Sequence, residues 1–526
     1  MSSAKEPVTR RFGNGLTVLI KEDKSHPVVS LQYWVGTGSM NEGHWQGSGL
    51  SHLLEHLVFK GTAHFSGQEL ARKVQERGGH WNAYTSVNRT VYYIDGPAES
   101  WQIFLNLLTE LVFFPTFPED EMEREKEVVR REMAMYADDP DSVAYQLLMQ
   151  TLYLKHPCRW PVLGERAAFD CLTRQDVLDY HASRYVPNNV VLSIAGDVDA
   201  AEILSHLELL VEDLKSRPLN REPIPHEPHQ FGSRRVRKEF AVPYSKLHLA
   251  WRLPCSAHPD TPALSALSSI LGGGRSARFY EKFHDRLGLV YSIEVHSNQS
   301  ETDEGAFTIS MDVDRAQRDK VRDMVLQELR NLAEEDFTED LKRVCKQTRV
   351  SRLRRRSSAS GVASEMGADW FGSRNLNLSS EWQEAIERVT TEDLHRVCST
   401  WLSSPNVTEV SLDPPGSNAG DEERASASAG TALSEHVLGN GMKVVIREDH
   451  RLPLAYACMA FKAGCRAENE HDAGVTDLMS ECLLKGTSTR SAADIARFLE
   501  DIGGAINTST GNNSLSVGCQ VLAEDL

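Results

Sequence analysis

The feature that most constrains this chain is an internal repeat. Three segments of the first hundred residues return near the carboxyl end: Phe12–Ser39 as Leu438–Cys465, Ser48–Thr62 as Ala473–Thr487, and Gly78–Tyr93 as Gly503–Gly518. The offset is 425 residues from Ser48 to Ala473 and 426 residues from Phe12 to Leu438. Solenoids and propellers repeat every ~20 to 50 residues, so this offset is far too long for them. The chain is predicted to contain a duplicated domain or a duplicated pair of domains.

Two breaks in the sequence pattern divide the chain. Residues 414–430 are small and polar with no apolar periodicity, which is typical of a flexible linker. A weaker break at residues 215–233 contains four prolines and no sustained periodicity. The prediction is a first domain at residues 1–215, a homologous second domain at 232–413, a linker at 414–431 and a third domain at 432–526.

The third domain is predicted to be incomplete. Its last residue, Leu526, aligns with Trp101 of the first domain, so it has no counterpart of the first-domain segment beyond Trp101. An incomplete domain would leave sheet edges and an apolar face uncovered. We therefore expect either a longer protein of four such domains, or a homodimer or second chain that supplies the missing part.

Composition excludes several classes of function. Of the 526 residues, 40% are hydrophobic, and the formal net charge of −18 argues against general binding of nucleic acid or an anionic membrane. No segment has the apolar core of a signal peptide or the roughly 20 apolar residues of a membrane span. The nine cysteines are scattered without a C-x-x-C pair, which favours reduced thiols over disulfides or a cysteine zinc site. A cytoplasmic protein is expected.

Periodicity in the first domain alternates between the strand and helix patterns. Apolar and β-branched runs predict strands, and amphipathic runs predict helices. The predicted strands are Leu16–Ile20, Val28–Val35 and Thr90–Ile94, and the predicted helices are Gly47–Phe59, Ser66–Arg77, Trp101–Phe114 and Glu119–Tyr136. Elements mixed in this order favour an α+β fold, in which a mixed sheet is covered by helices.

The sharpest chemical signal is the run His52-Leu53-Leu54-Glu55-His56. On a helix, residues i and i+4 lie on one face, so both imidazoles can approach one ion, and Glu55 shares that side. A catalytic zinc site needs a third protein ligand and an open position for water. The pentapeptide alone is also compatible with an ordinary helical surface, so its interpretation depends on other segments.

The predicted helix Glu119–Tyr136 supplies candidate carboxylates. Glu125 and Glu132 are seven residues apart and share a helix face with Val129. A carboxylate on an apolar stripe is costly unless it is paired with a charge or a metal. We expect Glu132 to be the third metal ligand. Glu125 is expected to fix a histidine or to help position the reacting water.

The repeat gives a second, independent indication. In the last copy the positions aligned with His52, Glu55 and His56 are Asp477, Ser480 and Glu481. Both histidines are lost there, although the helix pattern and the Lys-Gly-Thr ending remain. This is expected if the fold and the metal chemistry are separable.

These residues resemble the pitrilysin, insulysin and mitochondrial-processing-peptidase family, whose inverted zinc motif is H-x-x-E-H. Glu132, which is 76 positions after His56, stands where the family has its glutamate ligand, and Glu125 matches the family's other acidic position. Further segments similar to the family are residues 78–93, 156–169, 184–199 and 271–293.

The resemblance implies homologous α+β domains that form the two halves of a clamshell, with one zinc ion in the first half. It implies that Asn82 and Ala83 lie on a sheet edge that pairs with the substrate backbone. Tyr291 matches a second-domain tyrosine that donates to the scissile carbonyl. The family arginine seven residues before that tyrosine is replaced by His284. Arg286 is two positions away, and either residue is a candidate for the arginine's role.

The predicted function is that of a zinc endopeptidase acting on oligopeptides or unfolded segments, with Glu55 moving the water's proton. One alternative is a processing peptidase subunit for targeting presequences. Another is a non-catalytic family member with a structural role. The expected partner is a peptide substrate, with no nucleic acid and no membrane.

Overall fold

The computed structural model describes residues 6–219, 223–298, 305–402, 405–416, 433–447 and 454–522, the last range with gaps at 463, 465, 467, 469–471, 493, 496–497, 499–504 and 512. The chain divides into two compact units, residues 1–419 and 420–526. Most of the predicted linker, residues 417–431, lies outside the described residues.

Unit 1 contains eleven strands among its described residues. They are β1 Val8–Arg11, β2 Thr17–Glu22, β3 Val28–Val35, β4 His80–Thr85, β5 Thr90–Pro97, β6 Val190–Gly196, β7 Arg234–Glu239, β8 Ser245–Leu253, β9 Val290–Asn298, β10 Gly305–Val313 and β11 Thr408–Asp413.

Fourteen α-helices accompany these strands in the described part of unit 1. They are α1 Leu50–Val58, α2 Gly67–Gln75, α3 Trp101–Phe113, α4 Glu119–Asp138, α5 Pro140–Leu152, α6 Arg166–Asp170, α7 Arg174–Arg184, α8 Ala200–Val211, α9 Thr261–Gly272, α10 Arg318–Asn331, α11 Thr338–Arg355, α12 Ala359–Ser373, α13 Leu378–Glu387 and α14 Thr391–Val397.

Two sheets of unit 1 share one topology. The first has the order β1-β2-β6-β3-β5-β4, and the second has the order β7-β11-β8-β10-β9. In each sheet one pair of strands is parallel, β2 with β6 and β7 with β11. The next pair in each order, β6 with β3 and β11 with β8, is antiparallel. The second sheet therefore repeats the first without the β1 strand, and the predicted α+β architecture is confirmed.

Each sheet is covered on one face by a helix from the other half of unit 1. Helix α12 packs Ala363 and Met366 against the first sheet, where they meet Trp34 and Val191. Leu148 and Leu152 of α5, with Tyr153 directly after the helix, pack against the second sheet at Ala250 and Val410. This reciprocal exchange buries both sheets on two sides and joins the halves of unit 1.

Helix α1 is anchored in the larger core of the first half. Its five aliphatic residues have no measurable solvent exposure and belong to this core: Leu50, Leu53, Leu54, Leu57 and Val58. Burying one such side chain stabilises a fold by about 1.5–3 kcal/mol. The opposite side of the helix carries His52, Glu55 and His56, which are only partly buried.

Unit 2 repeats part of the first sheet. Its described elements are β12 Leu433–Val437, β13 Lys443–Arg447, β14 Leu454–Phe461, α15 Val475–Cys482, β15 Ala505–Thr510 and β16 Leu515–Leu522. The strand order β14-β16-β15 corresponds to β3-β5-β4. The registers also agree, because Leu454 pairs with Leu522 as Val28 pairs with Pro97. The duplication inferred from the sequence is present in the backbone.

The predicted helix boundaries were partly wrong. The helix expected from Gly47 begins at Leu50, because Gly47 and Gly49 adopt φ values of 78° and 74°, which a right-handed helix does not contain. The capping box at Ser66 and Glu69 is confirmed. No helix among the described residues is long and apolar enough to cross a membrane.

Candidate metal centre and catalytic site

A glycine and a buried carboxylate fix the start of α1. Gly49 precedes the helix in the left-handed region, and a Cβ there would lie 2.0 Å from the Leu163 carbonyl oxygen. The fully buried Glu42 accepts the Ser51 backbone N–H at 2.8 Å through Oε1. Burial raises the pKa of Glu42 to about 8, and N–H groups at the helix start oppose that shift. Glu42 therefore caps the helix that carries the motif.

Three side chains converge on one point. The ligand atoms of His52, His56 and Glu132 all lie within 4.8 Å of one another. Glu132 Oε2 is 3.8 Å from the Nε2 atoms of both His52 and His56. Ligands bound to one tetrahedral zinc ion at about 2.1 Å lie about 3.4 Å apart, so the observed spacing is close to that of a zinc site.

Two polar atoms of this cluster are buried without a hydrogen-bond partner among the described residues, as expected where a metal would bind. They are Glu132 Oε2 and His52 Nδ1. A buried carboxylate oxygen without a partner is costly, and a cation would satisfy it. Burial, with a contribution from His56, lowers the pKa of His52 to about 3. His52 is therefore neutral, as a metal ligand must be. The donor set of two imidazoles and one carboxylate fits zinc.

Glu125 lies behind His56. Its Oε2 is 3.1 Å from His56 Nδ1, and its Oε1 is 2.6 Å from Lys60 Nζ. Burial raises the pKa of Glu125, but hydrogen bonds from His56 and Lys60 outweigh this effect and lower it. With an ionised acceptor at Nδ1, His56 donates there and directs the lone pair of Nε2 to the cluster. The structure thus places Glu125 against a predicted ligand, on the side away from Glu132.

Glu55 is held by the edge strand β4. The Thr85 hydroxyl donates to Glu55 Oε2 at 2.6 Å. Burial raises the pKa of Glu55, and hydrogen bonds from the side chain and backbone of Thr85 oppose the rise. The carboxylate therefore sits beside the two histidines in a fixed orientation, where it can exchange a proton with a nearby water.

Strand β4 is the last strand of the first sheet, so its outer edge pairs with no other described strand. Asn82 is exposed and its Oδ1 accepts the Ala83 backbone N–H at 2.8 Å. An open edge next to Glu55 is available for main-chain pairing. The predicted role of Asn82 and Ala83 in binding substrate stays a prediction.

The predicted second-domain residues contact neighbours of their own domain. Tyr291, which is 57% exposed, is the second residue of the edge strand β9 and donates to Asp314 Oδ1 at 2.9 Å. His284 stacks on Tyr280 with ring centroids 4.3 Å apart, and Arg286 pairs with Glu281. The helix at Tyr280–Arg286 is a π-helix, which changes the side-chain directions expected for an α-helix. The predicted roles of Tyr291, His284 and Arg286 toward a substrate stay predictions.

Three supporting residues were missed in the sequence. They are Glu42, Lys60 and Thr85. A signal was present in the repeat, where the aligned residues are Glu468, Lys485 and Thr510. All three residue types are therefore present in both copies, although the histidines are present only in the first.

Comparison with known proteins identifies the family. The model described as "Insulinase (Peptidase family M16)" matches residues 17–166 and 443–526, and the model described as "Peptidase M16 inactive domain" matches residues 172–347. An uncharacterized zinc protease of Mycobacterium tuberculosis (strain ATCC 25618 / H37Rv) is 30% identical over 299 residues, which are 56% of this chain and 67% of that protein. The chain belongs to peptidase family M16.

Other proteins match a larger share of the chain. The uncharacterized zinc protease YmxG of Bacillus subtilis (strain 168) is 27% identical over 385 residues, which cover 73% of this chain and 92% of that protein. The crystal structure of a protease from Helicobacter pylori superposes with a TM-score of 0.72 at 26% identity, covering 78% of this chain and all of that one. The predicted membership of the pitrilysin family is confirmed.

The two M16 models divide unit 1 in a way that agrees with its chemistry. Among the described residues, the only group of three or more His, Cys, Asp or Glu side chains spaced to hold a metal is His52, His56 and Glu132. That group falls within the first insulinase match, and none falls within the segment matched as inactive.

Proposed function

We propose that this chain is a zinc-dependent endopeptidase that hydrolyses peptide bonds in oligopeptides or unfolded polypeptide segments. The observation that carries the proposal is the convergence of His52, His56 and Glu132, with the Glu55 carboxylate beside them. Two imidazoles, one carboxylate and an adjacent free carboxylate are the groups that a zinc peptidase requires.

The ion would be held by His52, His56 and Glu132. Bound there, zinc would lower the pKa of a water molecule toward ~7 and polarise the scissile carbonyl. The chain's own contribution is to keep the His52 imidazole neutral and to leave the buried Glu132 oxygen without a competing hydrogen-bond partner among the described residues.

Glu55 is the proton carrier in this proposal. Its carboxylate accepts a proton from the attacking water and then delivers it to the leaving amine. The Thr85 hydroxyl donates to Oε2 at 2.6 Å and so orients the carboxylate that moves the proton. General acid–base groups of this kind contribute about 10²- to 10⁴-fold to a rate.

Substrate is proposed to bind as an extra strand on the β4 edge, near Asn82 and Ala83. Such pairing uses main-chain hydrogen bonds and demands little of the peptide sequence. It requires an extended segment, which is why oligopeptides and unfolded segments are favoured over compact domains. Tyr291, with His284 or Arg286, is proposed to approach the scissile carbonyl from the second domain when substrate is enclosed.

A quenched-fluorescent peptide set tests this function directly. The purified full chain is assayed as isolated, after treatment with a chelator, and after chelation followed by added zinc. We expect internal cleavage of extended peptides that stops with the chelator and returns with zinc. If the metal-loaded and folded chain cleaves no peptide of the set, a non-catalytic role replaces the proposal.

A further inference from the structure

Thr85 and Lys60 lie outside the H-x-x-E-H motif but support two of its side chains. Thr85 contacts Glu55 directly, and Lys60 supports His56 through Glu125. Thr85 contacts Glu55 at 2.6 Å, and Lys60 contacts Glu125 at 2.6 Å, which in turn lies 3.1 Å from His56. Thr85 is on β4, whereas Lys60 lies two residues beyond the end of α1. The two contacts are therefore independent supports of one site.

We infer that Thr85 and Lys60 are positioning residues that separately support the two roles of the motif. Thr85 orients the Glu55 carboxylate and so supports the rate of hydrolysis. Lys60, through Glu125, orients the His56 ring and so supports the affinity for zinc. The inference rests on the proposed function for the Thr85 part, whereas the Lys60 part concerns metal binding alone.

Thr85 restricts a glutamate side chain that would otherwise be free to rotate. Three rotatable bonds separate the Glu55 carboxylate from the backbone, so helix α1 by itself does not aim it. Thr85 contributes both its hydroxyl and its backbone N–H to that carboxylate, and it belongs to a paired strand that cannot follow the side chain. A displacement of about 1 Å of a reacting group can cost about 10²-fold in rate.

Lys60 holds one of the two oxygens of Glu125. Oε2 faces His56 Nδ1 and Oε1 faces Lys60 Nζ, so the carboxylate is held at two points. The Glu125 side chain is 9% exposed, which leaves little water to replace a lost partner. Without Lys60, the carboxylate has a single contact and the His56 ring loses its fixed orientation. Groups behind a metal ligand typically change metal affinity by about 10- to 100-fold.

The repeat supplies a matched control for each residue. Thr510 aligns with Thr85 and donates to Asp477 Oδ1 at 2.8 Å, and Lys485 aligns with Lys60. If threonine and lysine were needed only for the local fold, substitutions in the two copies should have similar consequences. The inference predicts that only the substitutions in the first copy affect the site.

The experiment uses the full chain with Thr85→Val, Thr85→Ser, Lys60→Met and Lys60→Arg, and with Thr510→Val and Lys485→Met as controls. Valine keeps the β-branched shape of threonine without the hydroxyl. For every variant the zinc dissociation constant is measured by competition with a chelator, and kcat and KM are measured at saturating zinc.

We expect Thr85→Val to lower kcat about 10- to 100-fold with KM and the zinc dissociation constant within about 3-fold of the parent. Thr85→Ser should restore most of the rate. Lys60→Met should raise the zinc dissociation constant about 10-fold or more, and Lys60→Arg should raise it less. Both controls should match the parent in all three quantities.

Several results would overturn the inference. They are an unchanged kcat in Thr85→Val, an unchanged zinc affinity in Lys60→Met, or equal losses in the control variants. If the parent proves to cleave no peptide, the proposed function fails by itself. Thr85 is then tested in zinc-free protein, where Thr85→Val and Glu55→Ala must be non-additive in the unfolding midpoint. Additive effects there would refute the Thr85 contact.

Discussion

The first and last copies of the repeat contain corresponding helices that begin and end in the same way. Helices α1 and α15 both begin after a glycine with positive φ, Gly49 at 74° and Gly474 at 88°. Both are capped by an upstream glutamate, because Glu468 accepts the backbone N–H groups of Gly474 and Thr476 as Glu42 accepts that of Ser51. Both are succeeded by the same short turn, with isolated bridges from Gly61 to Ser66 and from Gly486 to Ser491. The scaffold of the site is therefore common to both copies.

The two helices differ at the positions that carry chemistry and in how they are covered. His52, Glu55 and His56 correspond to Asp477, Ser480 and Glu481. Leu53 and Leu54 are fully buried beneath helices that lie beyond residue 100 in the chain, whereas the aligned Leu478 and Met479 are 64% and 43% exposed. The cap, the turn and the strand register are thus common to both helices, whereas the two candidate metal-binding histidines are present only in α1.

The largest expected effect comes from giving α1 the residues of α15. In the triple variant His52→Asp, Glu55→Ser and His56→Glu, zinc affinity should fall by more than about 10³-fold, because both imidazoles are lost. The helix should still form, since its cap and its buried leucines are unchanged. Metal analysis and circular dichroism check the two parts. Retention of zinc by this variant would contradict the assigned ligands.

A single substitution separates metal binding from hydrolysis within the motif. Glu55→Gln should keep zinc but lower hydrolysis by about 10³-fold, because the amide cannot accept the water's proton. Zinc content and peptide cleavage are measured on the same preparation. Near-parental cleavage by this variant would remove Glu55 from its proposed role.

The glycines before the two helices should tolerate alanine differently. A Cβ on Gly49 would lie 2.0 Å from the Leu163 carbonyl oxygen, whereas no atom of the described residues lies within 4 Å of a Cβ on Gly474. Gly474→Ala should cost only the left-handed strain of about 1–2 kcal/mol. Gly49→Ala should cost about 2–5 kcal/mol, because the clash with backbone adds to the strain. Urea unfolding measures both variants, and equal costs would refute the distinction.

The remaining expected effect is a pH dependence that distinguishes the two caps. Burial raises the pKa of Glu42 to about 8, while hydrogen bonds from Thr476 and Gly474 lower the pKa of Glu468. A carboxyl group whose pKa is raised on folding contributes its full stabilisation below about pH 4.5, and this contribution is lost as the pH rises toward 8. The stability of Glu42→Gln relative to the parent should therefore rise by up to about 1 kcal/mol per pH unit across that window.

The matched measurement is made on Glu468→Gln. A carboxylate whose pKa is lowered on folding stabilises the folded state at pH values above its unfolded pKa, and this stabilisation is lost on acidification. The stability of Glu468→Gln relative to the parent should therefore not rise between about pH 5 and pH 8. Urea midpoints at several pH values are compared for the three proteins. A flat difference between Glu42→Gln and the parent would contradict a raised pKa for Glu42.

The sequence predicts the cluster of two histidines and one glutamate because the spacing of these residues is governed by helix geometry. His52 and His56 are one turn apart, and a carboxylate on the apolar face of α4 requires a partner. It does not predict Thr85 or Lys60, because the side chains they contact lie 30 and 65 positions away and meet only when the sheet and α4 are assembled. The helix start was misplaced because the φ values of Gly47 and Gly49 depend on packing against Trp160 and Leu163.

Zinc content of the purified chain tests the assignment of the metal centre most directly. The parent, Glu132→Gln and Glu123→Gln are dialysed against metal-free buffer and analysed for bound zinc; Glu123 is an exposed residue of the same helix. We expect a single zinc ion per chain in the parent and in Glu123→Gln, and its loss from Glu132→Gln. A folded parent without zinc, or full retention by Glu132→Gln, would contradict the assignment.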